Sequence, residues 1–197
     1  MHKRCVITVV GLSLLALAAC KPKTPEPTPT VNESMIQVMA PHAQTIWDIT
    51  SAAFNAKGDG LDPAKLSDSD WAKLATAGAQ MRDRAEILAK ADRLTTAGPG
   101  EHVLGQEASN IVGKQGADWN AASPKEIQAK IDANPKLFAE RARILAQAGA
   151  TVVKASGAKD ALMLYGVSAN LDEVCDGCHE KFWGTDEPPP FPKEASR

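Results

Sequence analysis

One group of residues suited to redox chemistry lies close to the C-terminal end of the chain. Cys175 and Cys178 are separated by two residues, and His179 follows directly, which gives a C-x-x-C-H pattern. On a helix, residues three positions apart lie on the same face, so both thiols can reach the two vinyl groups of one porphyrin. His179 would then place an imidazole nitrogen on the iron. The pattern predicts one covalently attached haem c.

Two other uses of paired cysteines fit the sequence less well. A redox-active C-x-x-C of the thioredoxin type begins a helix that follows a strand, and no strand pattern precedes Cys175. A structural zinc site needs a second pair of ligands. The chain has only four cysteines, and the other two are predicted below to lie within an export signal (Cys5) and to carry a lipid anchor directly after it (Cys20). Haem attachment is therefore the favoured interpretation.

The N-terminal segment has the layout of a bacterial lipoprotein signal. Basic residues at positions 3 and 4 precede an apolar stretch that is too short to span a bilayer. The stretch ends in Leu17-Ala18-Ala19-Cys20, which looks like a lipobox. Residues 1–19 are predicted to be a signal peptide and Cys20 the lipid anchor. Residues 20–30, with alternating prolines, would form an extended tether, and residues 185–197 a proline-rich tail.

Export also predicts where the protein works. Haem attachment and a lipid anchor together indicate a periplasm-facing, membrane-anchored lipoprotein, and Lys21 after the anchor favours the outer membrane. The formal net charge of −2 gives no argument for binding nucleic acid. No Ser/His/Asp arrangement, phosphate loop or paired-carboxylate pattern indicates an enzyme. We therefore expect a binding or carrier protein.

Helical periodicity dominates the stretch between the tether and the tail, so residues 31–184 are predicted to form one all-α domain. Ser67, with Asp70 three residues later, gives a capping-box pattern at the start of one helix, and Pro41 predicts a kink or a late start in another. The expected fold is an antiparallel four-helix bundle with a long, partly helical crossover over residues 98–133, including a short helix at 125–131. In chain order the four helices run from Val31 to Asn55, from Ser67 to the turn at 98–100, from Asn134 to the break at 156–157, and from that break to Gly184.

A C-x-x-C-H motif near the end of the last helix of such a bundle resembles the class II c-type cytochromes, the cytochrome c prime group. The resemblance covers roughly Met35 to Trp183, with a gap over the crossover, and is specific at Cys175, Cys178 and His179. Phe182 matches an aromatic residue that is usual in the family, whereas Trp183 stands where the family commonly has arginine. The resemblance implies a mono-haem electron-transfer protein with periplasmic redox proteins as partners, and a homodimer also stays open.

The sixth ligand of the iron would decide what such a haem does. In an antiparallel bundle the start of helix one lies beside the end of helix four, so Met35 and Met39 are candidates for the position opposite His179. Met35 is preferred because its spacing to Pro41 and Trp47 matches the resembling proteins. Both methionines could instead be core residues. A five-coordinate iron that binds NO or CO, for buffering or sensing, is the alternative to a saturated electron carrier.

Overall fold

The computed structural model describes residues 28–101, 103 and 122–184, and within these ranges the protein is all-helical, with no strand. The predicted signal peptide, the Cys20 anchor, most of the tether, most of the crossover and the tail lie outside the described residues. In chain order, the helical elements are α1 (Val31–Ser34), a π-helical turn (Met35–Met39), α2 (Ala40–Ala52), a 3-10 turn (Pro63–Lys65), α3 (Asp68–Lys90), α4 (Pro124–Ala133), α5 (Pro135–Ala158), α6 (Ala161–Ala169) and α7 (Leu171–Phe182).

The first helical segment runs through Pro41 without a break. Thr30 caps its start by accepting a hydrogen bond from the Glu33 N–H. Proline has no N–H to donate, and its ring crowds the carbonyl one turn earlier. The chain accommodates Pro41 with the wider π-helical turn, in which the Ala40 N–H donates to the Met35 carbonyl five residues back. The segment ends at Ala52, three residues before the predicted end.

The predicted second and third helices correspond to α3 and α5, which form the most extensive helix pair of the fold. Their antiparallel packing follows from the contacts of Gly78 with Gly149 and of Asp68 with Lys159. The capping box of Ser67 and Asp70 is present. The apolar face of α3 is buried throughout; its members are Trp71, Leu74, Gly78, Met81, Ala85 and Leu88.

Two predicted helix ends are wrong. The second helix stops at Lys90 and not at the turn 98–100. The chain there turns back, and the carbonyls of Thr95 and Thr96 accept hydrogen bonds from Val31 and Asn32, whose N–H groups have no partner within α1. The third helix continues through the predicted break at 156–157 to Ala158, because the left-handed conformation that ends it falls on Lys159 (φ 51°).

The predicted fourth helix is divided into α6 and α7 at Asn170, which has φ −97° and ψ 0°. The Asn170 side-chain amide donates to the Gly166 carbonyl at 2.7 Å and so closes the end of α6. In the crossover, the predicted short helix is confirmed as α4, with its own capping box of Ser123 and Glu126. None of the helices in the described ranges is long and apolar enough to cross a membrane.

Five helices, α2, α3, α5, α6 and α7, pack around one core. The α2 segment lies against α3 and α6, and α5 lies against α3, α6 and α7. Phe54, just after α2, contacts Tyr165 of α6 with ring centroids 6.1 Å apart. After Asn170, α7 packs against α5. Phe138 of α5 and Phe182 of α7 meet edge to face there, with ring centroids 5.3 Å apart. The π-helical turn and α7 therefore stand apart, and a cavity lies between them.

Candidate haem site

The cavity has a volume of about 440 Å³ and is walled mainly by apolar atoms. One side is the π-helical turn with the start of α2, the other is α7, and the floor comes from α3 and α5. Five side chains selected from the sequence line it together: Met35, Met39, Cys175, Cys178 and His179. The fold thus brings the two ends of the domain, nearly 140 positions apart in sequence, to one site.

The first turn of α7 carries Asp172 and Glu173, whose charges suit the positive end of the helix dipole. One turn further on, Cys175 and Cys178 are free thiols three positions apart and both border the cavity. Burial raises the pKa of the Cys175 thiol to about 12, with a contribution from neighbouring acidic groups. Burial likewise raises the pKa of Cys178 to about 11. Redox-active cysteines have lowered pKa values, so a redox-active dithiol is not favoured at this site.

His179 is held by packing more than by hydrogen bonds. Its ring lies beside Trp183, with centroids 6.2 Å apart and planes tilted by 48°. The Trp183 N–H donates to the His179 carbonyl at 2.8 Å, which fixes the end of α7. Burial lowers the pKa of His179, although Asp176 opposes the shift, so the imidazole is neutral and able to bind a metal. Within the described ranges its buried Nδ1 has no hydrogen-bond partner.

The two candidate methionines differ in their surroundings. Met39 belongs to the core, with 5% of its surface exposed. Met35 is only half-buried and packs against the core from its edge, so its thioether has more freedom to approach an occupant of the cavity. Met81 of α3, a buried core residue, also lines the floor.

Two further polar groups at the cavity were not identified from the sequence. The indole Nε1 of Trp47 and the Nε of Arg141 are buried and have no partner in the part of the chain that the structure describes. Arg141 follows the cavity face of α5, at helical spacing from Phe138, Ala142 and Leu145. The sequence signal that could have identified Arg141 is a charged residue on an otherwise apolar face of the helix. His42 does not line the cavity, and His102 lies outside the described residues.

These features suit a haem. A largely apolar cavity of this size is in the range of cofactor sites. Its walls hold three buried nitrogen atoms, on His179, Trp47 and Arg141, that have no hydrogen-bond partner among the described residues. Haem is a flat apolar ring that carries an iron and two carboxylates. The ring could lie against the apolar wall, and the iron and the carboxylates could interact with the nitrogen atoms that have no partner. No group of three or more His, Cys, Asp and Glu side chains in the described ranges could hold a bare metal ion, whereas haem iron needs only one or two protein ligands.

Comparison of the chain with protein-family models, with curated protein sequences and with solved structures finds no match. The functional interpretation therefore depends on the motif and on the cavity that contains it.

Proposed function

We propose that the protein is a membrane-tethered, periplasmic mono-haem c-type cytochrome that carries single electrons between redox partners. The observation that carries the proposal is the position of the C-x-x-C-H motif. Its two thiols and its imidazole border the same apolar cavity as two methionines from the opposite end of the domain. Random occurrence of the motif would not place it on such a cavity.

The proposed fold is an antiparallel four-helix bundle of the class II cytochrome type. Its helices are the segment 31–52, α3, α5, and α6 with α7 as a broken fourth helix. Three contacts support this arrangement. Ser34 accepts a hydrogen bond from Arg84, Gly78 meets Gly149, and Phe138 meets Phe182, so each helix runs against the preceding one. Up-down-up-down bundles of this type build cofactor sites from facing helices.

In this proposal Cys175 and Cys178 would hold the haem through thioether bonds, and His179 would bind its iron. When bound, the haem supplies reversible one-electron transfer. The neutral His179 imidazole has a free nitrogen lone pair, and the neighbouring Trp183 ring restricts its rotation. The apolar floor, including Met81 and Leu88, excludes water from the site.

Met35 is the proposed sixth ligand, with Met39 as the alternative. The half-buried position of Met35 at the cavity wall favours it, since Met39 already fills space in the core. A His/Met pair saturates the iron and suits outer-sphere electron transfer. The alternative function is the binding of NO or CO at a five-coordinate iron. It applies if neither Met35 nor Met39 binds the iron, because the cavity wall opposite α7 would then offer an apolar pocket to the gas.

The remaining parts of the proposal concern location and partners. Cys20 would carry the lipid, and the proline-rich segment after it would hold the domain away from the membrane. Such a tether suits exchange with periplasmic redox proteins. A homodimer and sorting to the outer membrane belong to the same proposal, with no described residue that bears on them.

The test is intact-mass and absorption measurement on the protein purified from a bacterial membrane fraction. The expected mass includes one haem and the acyl chains on Cys20. An alkaline pyridine spectrum should report two saturated vinyl groups, and Cys175→Ala or Cys178→Ala should leave one vinyl group intact. A wild-type protein without haem would refute the proposal. Reduced protein that binds CO rapidly, without displacing an internal ligand, would favour the gas-binding alternative.

A further inference from the structure

Arg141 is the one basic side chain among the described residues that line the cavity. The other ionisable groups facing it all belong to α7: Asp172, Cys175, Asp176, Cys178 and His179. The π-helical turn, α2 and α3 contribute no charged side chain to the walls. No described carboxylate forms an ion pair with Arg141, and its Nε is buried without an acceptor.

The guanidinium is held against the C-x-x-C-H segment itself. A Cβ added to Gly177 would lie 3.3 Å from Nη1 and 3.7 Å from Cζ of Arg141. Glycine at this position, between the two cysteines, thus leaves the room in which the guanidinium lies. The positive charge is therefore close to the place where the haem would be attached.

A buried N–H without an acceptor is costly, because burial removes its water without providing a partner, and the Nε of Arg141 is in this position. The cost disappears if the occupant of the cavity brings an acceptor. Arginine suits this task, since its planar set of donors matches the two oxygens of a carboxylate. Haem carries its carboxylates on the two propionate side chains.

We propose that Arg141 binds a propionate of the haem, with Nε–H as one of the donors, and that it sets the charge balance of the site. This inference rests on the proposed function. The contact between Arg141 and the propionate would affect the midpoint potential of the haem as well as its position. A cation paired with the propionate opposes accumulation of positive charge on the iron, and therefore favours the reduced state.

The experiment uses the full-length holoprotein and three variants, Arg141→Gln, Arg141→Lys and Arg143→Gln. Arg143 is exposed on the same helix and serves as the matched control. Resonance Raman spectra report hydrogen bonding of the propionates through their bending mode, and redox titration gives the midpoint potential. We expect Arg141→Gln to shift the bending mode and to lower the midpoint potential. Arg141→Lys should shift both less, and Arg143→Gln should match the wild type.

Unchanged Raman and redox behaviour in Arg141→Gln, with haem fully attached, would overturn the inference and leave the proposed function intact. Wild-type protein that contains no haem would overturn both. If Arg141→Gln does not mature, Gly177→Ala provides the second variant, because its methyl group would move the guanidinium by a few tenths of an ångström and keeps the charge. It should then produce the Raman shift, and an unchanged mode would refute the contact.

Discussion

The close approach of α3 and α5 at Gly78 and Gly149 gives a quantitative prediction for Gly149→Ala. A Cβ on Gly149 would lie 2.6 Å from the Gly78 carbonyl oxygen of α3 and 2.8 Å from the Arg82 nitrogen. Both contacts are with backbone atoms, so no side-chain rotation can relieve them. The two helices must part by most of an ångström before ordinary contact at 3.4 Å is restored.

Two effects oppose each other in this variant. Alanine is more favourable than glycine in a helix by about 1 kcal/mol. Overpacking of a well-packed interface costs about 1–3 kcal/mol, and a backbone clash belongs at the upper end of that range. We therefore expect the free energy of unfolding to fall by about 1–2 kcal/mol. For a domain of this size each kcal/mol corresponds to roughly 2–4 °C in Tm.

The matched control is Gly157→Ala, on the same helix, where nothing lies within 4 Å of an added Cβ. It should leave stability unchanged or raise it by up to about 1 kcal/mol. Chemical denaturation of the holoprotein, followed by circular dichroism, measures both. The double variant Gly78→Ala/Gly149→Ala should lose less than the sum of the single losses, because the helices are already parted. A Gly149→Ala protein as stable as Gly157→Ala would refute the close approach.

Three further predictions concern the axial ligand, the crossover helix and the motif glycine. Met35→Leu should remove the thioether-to-iron charge-transfer band of the ferric protein, whereas Met39→Leu should keep it and lose less than about 1.5 kcal/mol of stability; the reverse result would make Met39 the ligand. Ser123→Ala removes the cap of α4 and should cost about 0.5–2 kcal/mol, measured by denaturation, with Ser69→Ala, an exposed serine that makes no capping bond, as the control. Gly177→Ala should keep both thioether bonds by mass spectrometry, and haem loss in this variant would show that the glycine serves attachment itself.

The sequence predicted the helical parts of the fold well where local chemistry determines them. The apolar stripe of α3 and the capping box at Ser67 depend on spacing within one helix. The end of α3 at Lys90 depends instead on distant residues, since Thr95 and Thr96 leave the helical path to accept bonds from α1. The division at Asn170 also has a weak sequence signal, because asparagine is tolerated inside helices and no proline or glycine follows it.

The sequence predicted those residues of the candidate site that belong to a motif or to a periodic helix face. Cys175, Cys178 and His179 were identified from spacing, and Met35 from the expected antiparallel packing. Arg141 was not identified from the sequence, because its role depends on which face of α5 meets α7 and on the space left by Gly177. A single charged residue on an apolar stripe indicates such a role only after the neighbouring helix is known.

The break at Asn170 explains how a bundle with well-packed helices can hold a cavity. Before the break, α6 lies on α2 and α5, and its Tyr165 ring contacts Phe54. After Asn170, α7 packs against α5, with Phe182 against Phe138, and does not pack closely against the π-helical turn. The cavity lies between these two elements. Beyond Asn170, Gly177 lies beside the Arg141 guanidinium, so α7 carries the motif and also leaves space for this cation at the cavity wall.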